Sequence, residues 1–154
     1  MKFITSTQLS STQKEAIRNI WNAEYPTSLQ YSTLIDFDNF LNKQTDHQHI
    51  LATNPEGKIC GWFFSFTRDE ENWFSILIDQ SEQGQGLGSH LLNKAKETST
   101  ELNGWVIDNN HTVKSDGTLY KSPIDFYIKH NFVVLHDIRL EIEVMSAVKI
   151  KWKK

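Results

Sequence analysis

The chain is 154 residues long, 38% hydrophobic and 12% aromatic, with a formal net charge of −3. This composition excludes a disordered chain and suits one domain over residues 1–154, and its acidic balance gives no whole-domain electrostatic case for nucleic acid. A single cysteine excludes a disulfide framework, no run reaches the roughly 20 apolar residues of a membrane span, and "MKFITSTQLSS" lacks a signal-peptide core, so a cytoplasmic protein with no membrane partner is expected.

Residues 2–6 read as a first strand. "SSTQKEAIRNIWNAEYP" then sets Ala16, Ile17, Ile20 and Trp21 on one helical face, with Ser or Thr near the cap and Pro26 closing the helix. Leu34, Phe37, Phe40 and Leu41 form the stripe of a second helix. There the period changes: "HILAT" and "KICGWFFSFTRD", parted by "NPEGK", predict a β-hairpin, and "WFSILID" a strand buried on both faces. Cys60, inside that apolar run, reads as a core thiol, and "HQH" at 47–49 as a polar approach to a strand without metal-ligand spacing. Beyond a glycine-rich stretch, Leu87, Leu91, Leu92 and Ala95 line a helix. "GWVID" predicts a buried strand, "SPIDFYIKHN" a short helix, and "FVVLHD" with "LEIEVMSAVKIKW" two closing strands. In the last, Leu140, Ile142 and Val144 alternate with Glu141 and Glu143, the pattern of a sheet with one wet face. The end "KIKWKK" predicts a fraying strand with lysines on its edge. This order indicates an α/β fold of the α+β type, a mixed sheet covered by helices.

Three of the seven glycines, Gly84, Gly86 and Gly88, fall on alternate positions between an apolar strand and an amphipathic helix. Glycine weakens both kinds of element, so the cluster suggests a close approach to the main chain. Its spacing fits neither a Walker A loop, which needs a Gly-Lys pair, nor the dinucleotide fingerprint Gly-x-Gly-x-x-Gly. What it leaves is a bare strand-to-helix turn whose N–H groups and helix dipole favour an anion such as a pyrophosphate. A flexible loop in which glycine merely permits positive φ accounts for the spacing equally well.

"QGQGLG" resembles the Gln/Arg-x-x-Gly-x-Gly/Ala signature of the GNAT superfamily of acetyl-CoA-dependent N-acetyltransferases, with Gln83 in the Gln/Arg place and Gly86 and Gly88 as the small residues. "DFYIKHNF" is similar to the family's aromatic-Tyr pair followed by a turn and Phe, with Phe126, Tyr127 and Phe132 at those places. The element order agrees along essentially the whole chain. This resemblance implies the GNAT fold, with a mostly antiparallel central sheet, and transfer of the acetyl group of acetyl-CoA to a primary amine by direct attack in a ternary complex. It implies that Gln83, Gly84, Gln85, Gly86, Leu87, Gly88 and Ser89 hold the pyrophosphate of coenzyme A. The main chain of Ile76, Leu77 and Ile78 would pair with the pantetheine arm where the fourth strand splays from the fifth, and Tyr127 would protonate the departing thiolate. No metal is implied. Homodimers through the last strands are common in the family.

The chain departs from the family where some relatives carry a catalytic glutamate at the start of the fourth strand, since Asn72 stands there. Glu24, Asp79, Asp108, His111 or water remain as routes for the amine proton. Asp79 also reads as a turn starter, Asp108 as an ordinary strand-end carboxylate and His111 as a solvated loop residue. "NNHTVKSDGTLYKSP" is longer than the usual connection, with Tyr120 where relatives often carry Asn; it reads either as a border of the acceptor site or as an inserted surface loop. Glu24, Tyr25 and Tyr31 suit a pocket for a cationic amine or, equally, a turn and core. Two rival readings stand beside the enzyme: a non-catalytic acyl-CoA-binding or sensing domain, and a nucleic-acid module using the basic tail. The acceptor, a small molecule or a protein amine, is not identified by any motif.

Overall fold

The apolar runs of the middle of the chain become one seven-stranded sheet in the computed structural model, which describes residues 1–154. The elements are β1 (Lys2–Ser6), α1 (Ser11–Glu24), α2 (Leu34–Asn42), β2 (Thr45–Thr53), β3 (Ile59–Arg68), β4 (Glu71–Ile78), α3 (Leu87–Glu97), β5 (Glu101–Ile107), α4 (Ile124–Lys129), β6 (Val133–Ile142) and β7 (Met145–Lys153). Ser10 opens α1 through a capping box with Gln13, which satisfies two N–H groups that the first turn leaves free. The sheet order is β1-β2-β3-β4-β5-β7-β6, and only the β4–β5 pairing is parallel. This is the mostly antiparallel, helix-flanked architecture that the resemblance implies.

Because strand side chains alternate between faces, the sheet carries two separate cores. On one face Phe63, Phe74, Leu91, Leu92, Tyr127 and Phe132 pack under α3 and α4. On the other, Ile17, Trp21, Phe37, Trp62, Phe64 and Trp73 pack under α1 and α2. Coverage on both sides explains why β3 is buried almost throughout. β4 differs from its predicted double burial: Ser75, Ile76 and Ile78 are only half-buried, because they border a cleft.

The structure corrects three other sequence expectations. The two closing strands divide elsewhere: Leu140–Ile142 ends β6, the turn lies at Glu143 and Val144, and Ile142 and Val144 are 50% and 42% exposed rather than packed on a core. The strand β7 is not an edge but lies between β5 and β6; Lys149 and Lys151 point to Glu71 at 2.9 and 3.3 Å, and Lys151 also to Glu101 at 3.3 Å. "HQH" lies inside β2, and His49 is buried, stacked on Phe64 at 4.8 Å with its Nδ1 accepting from the Trp62 indole N–H at 3.1 Å. Cys60 is a buried core thiol, as expected.

Candidate active site

Strands β4 and β5 touch in register only at Trp73 and Asn103, whereas β4 pairs with β3 over its full length and β5 with β7 over seven residues. Two asparagines clasp the point of parting. Asn72 Nδ2 donates to the Glu101 carbonyl at 3.2 Å, and Asn103 Nδ2 to the Asn72 carbonyl at 3.1 Å. From there toward Ile78 the strands diverge, so the β5-facing backbone groups of β4 have no ladder partner and border a cavity of about 990 Å³.

At the open mouth of this cleft the chain turns from β4 into α3. Gly84 and Gly86 adopt φ of +76° and +84°, the left-handed region that glycine enters without strain, and a Cβ on either would stand in open space. Gly86 serves as N-cap and offers no side-chain cap. The N–H groups of Gly84 through Ser89 accordingly find no acceptor within the chain, and three of them belong to the first turn of α3, where the helix dipole is positive. Gly88 is helical; a Cβ there would meet the Phe126 ring at 3.4 Å, an ordinary contact. Gln83 fastens the loop to the cleft, with Nε2 donating to the Ile78 carbonyl at 2.9 Å and to Glu24 Oε2 at 2.8 Å.

Tyr127 projects from α4 against Phe74, Phe126 and Phe132 and lines the cavity. Burial pushes its phenol pKa well up, and the nearby Tyr25 and Tyr120 phenols push it further. Opposite stand Trp21, Tyr25, Tyr31 and Phe40 from the α1–α2 side, with Phe66, Arg68, Trp73 and Trp105 toward the strand-parting point. Burial raises Tyr25 and Tyr31 to about 12. The long β5–α4 connection folds into a small hairpin, bridged at Val113 and Leu119, that docks on the α1–α2 connection: the Thr27 N–H donates to the Val113 carbonyl at 2.9 Å, and Lys114 Nζ lies 3.6 Å from Glu24 Oε2. The Ser28 hydroxyl reaches the Val144 carbonyl at 2.9 Å, so the β6–β7 turn completes the roof.

A model of the acetyltransferase (GNAT) domain matches residues 45–134, more than half of the chain. The chain belongs to the GNAT family. Solved GNAT-fold structures superpose over nearly its whole length. An aminoglycoside 6'-N-acetyltransferase complexed with coenzyme A is 11% identical, covering 99% of this chain and 97% of that one at a TM-score of 0.71. The ribosomal-protein-S18-alanine N-acetyltransferase of Escherichia coli is 18% identical, with 99% and 94% covered and a TM-score of 0.64. For the spermidine/spermine N-acetyltransferase SpeG of Vibrio cholerae the values are 14%, 99%, 95% and 0.66. At such identities the likeness is one of fold. No curated protein is matched by the chain.

Within this GNAT fold the cleft brings together Ile76, Leu77, Ile78, Gln83, Gly84, Gly86, Leu87, Gly88, Ser89 and Tyr127; Gln85 instead turns its side chain to the Ser81 carbonyl. The Ser89 hydroxyl lies 2.9 Å from His130 Nε2. Of the four side chains considered for the amine proton, only Glu24 lines the cavity. Asp79 caps the short turn after β4 by accepting from Ser81, Asp108 is gripped by both terminal nitrogens of Arg139 at 2.8 and 3.0 Å, and His111 is exposed. Arg139 beside it lowers the Asp108 pKa. Sequence reasoning missed Arg68, Trp73, Trp105 and Lys114 as cavity residues; they come from β3, β4, β5 and the β5–α4 connection, and no local pattern joins them.

Proposed function

We propose that this GNAT protein transfers the acetyl group of acetyl-CoA to an amine by direct attack, with both substrates held in the cleft. One observation carries the reading: a parted strand edge and a run of unpartnered N–H groups at a helix start share a single mouth. A pyrophosphate suits such groups, and the open space beside Gly84 and Gly86 leaves room for it. Residues Gln83 to Ser89 would hold that diphosphate, and the free edge of Ile76, Leu77 and Ile78 would pair with the amide-bearing arm as an added strand does. Acetyl-CoA supplies a thioester carbonyl: the amine nitrogen forms a C–N bond to it as the C–S bond breaks, and the amine loses a proton.

The chain's own groups then have three tasks. Aromatic walls exclude water from the thioester end of the cleft. The Tyr127 phenol, its pKa raised by burial, stays protonated at neutral pH and gives its proton to the departing sulfur. The amine proton leaves through Glu24 or water, since Asp79, Asp108 and His111 are committed or positioned elsewhere.

The test is acetyl-CoA-dependent thiol release over an amine panel, with Tyr127→Phe beside the native protein. Loss of a positioned acid is expected to lower kcat by roughly 10²- to 10⁴-fold while acetyl-CoA affinity holds. Binding of acetyl-CoA without turnover of any amine would instead favour an acyl-CoA-binding or sensing role.

A further inference from the structure

We infer that the acceptor is an amine on an apolar, aromatic-sized skeleton that carries a negative charge, with Arg68 as the residue that reads that charge. The inference rests on the acetyltransferase reading and narrows it to a substrate class. Aromatic rings alone would suit a cationic amine, because ring faces attract ammonium groups. Here the faces nearest the strand-parting point are already taken. The Arg68 guanidinium lies 5.0 Å from the Phe66 ring and 5.7 Å from Trp73, and Lys149 Nζ lies 5.1 Å from Trp73.

The wall's charges point the same way. Its ionic side chains are Glu24, Glu82, Arg68, Lys114 and Lys121, three cations against two carboxylates. Lys114 pairs with Glu24, which also accepts from Gln83, and this leaves Arg68 and Lys121 against the single carboxylate of Glu82. Arg68, by contrast, forms no ion pair; it is held by one hydrogen bond, from Nη2 to Gln44 Oε1 at 3.0 Å, which leaves most of its donors available. A polycation would enter this cavity against its charge, whereas a carboxylate beside Arg68 would gain a charge-assisted pair. The same wall favours the neutral, nucleophilic form of an entering amine, because burial and nearby cations both disfavour the ammonium. That lessens the need for a dedicated base, consistent with Asn72 at the start of β4.

The test compares three amines on the protein at saturating acetyl-CoA: 4-(2-aminoethyl)benzoate, phenethylamine and spermidine. Thiol release is read for turnover, and binding to the CoA-loaded protein is read by calorimetry. The carboxylated amine is expected to show kcat/KM roughly 10- to 100-fold above phenethylamine, the scale of one hydrogen bond to a charged group, with spermidine below both. Arg68→Met should bring the first two together through KM, and Arg68→Lys, which keeps the charge, should retain part of the difference. Spermidine as the best acceptor, equal binding of the two aromatic amines, or no binding of the carboxylated amine to the CoA-loaded protein would each overturn the inference while leaving the acetyltransferase reading intact. Failure of acetyl-CoA itself to bind would remove that reading and the inference with it.

Discussion

Acid should weaken this fold through one imidazole in particular. His49 is 1% exposed, lies flat on Phe64, and uses Nδ1 as an acceptor for the Trp62 N–H. A proton on that nitrogen would set two donors against each other in an apolar layer. Burial, with smaller contributions from His47 and Lys14, lowers its pKa from 6.5 to about 4. Above pH 6.5 the folded and unfolded chains both keep this group neutral, so it contributes no slope. Between pH 6.5 and 4 the unfolded chain takes up a proton that the folded chain refuses, and stability falls with falling pH. The whole interval corresponds to about 3 kcal/mol, of which about 2 kcal/mol is lost by pH 5. The lowered His130 pKa acts in the same direction, whereas carboxylates such as Glu71 add their loss at lower pH. Urea denaturation of the native protein and of His49→Gln at pH 7, 6 and 5 isolates the effect. The variant is expected to be less stable at pH 7 and to show a flatter slope. A native stability that does not change between pH 6.5 and 5, or an equal slope in the variant, would refute the assignment.

Other substitutions separate conformational from binding roles. Gly86→Ala places a side chain at φ +84° and should cost about 1–2 kcal/mol, or a Tm fall on the order of 3–6 °C, with no clash to relieve. Gly88→Ala occupies an ordinary helical position against Phe126 and should raise stability by up to about 1 kcal/mol in the same thermal scan. Asp108→Asn removes a partly exposed pair with Arg139 and should cost less than about 1 kcal/mol. Turnover in that variant is expected to stay within about twofold, and a hundredfold loss would reinstate Asp108 as the base.

The elements themselves were legible because their periods differ: Ile17, Ile20 and Trp21 recur at helical spacing, while the residues of β3 form an unbroken apolar run. The glycine loop was legible as a break in both periods, and its family signature supplied a role that spacing alone left open. What escaped was whatever depends on the partner across the sheet. His49 reads as polar until the β2–β3 register sets it beside Phe64 and Trp62. The lysines of β7 read as an edge until that strand inserts between β5 and β6 and meets Glu71. The alternation around Ile142 and Val144 is that of a half-wet strand, and nothing local shows that its apolar side lines a cleft. Arg68 was invisible for the same reason, since its meaning lies in the absence of a carboxylate that only the fold reveals.

Calorimetric titration of acetyl-CoA into the native protein and into Gly86→Glu tests the central claim most directly. The account predicts saturable binding of one acetyl-CoA per chain, with a Tm rise on the order of 5–10 °C at about 100 times the dissociation constant. The glutamate, which sets a negative charge where the free N–H groups converge, should abolish it while circular dichroism still shows a folded chain. No saturable binding to a folded native protein, or equal binding by the variant, would contradict the assignment of this loop and cleft to coenzyme A.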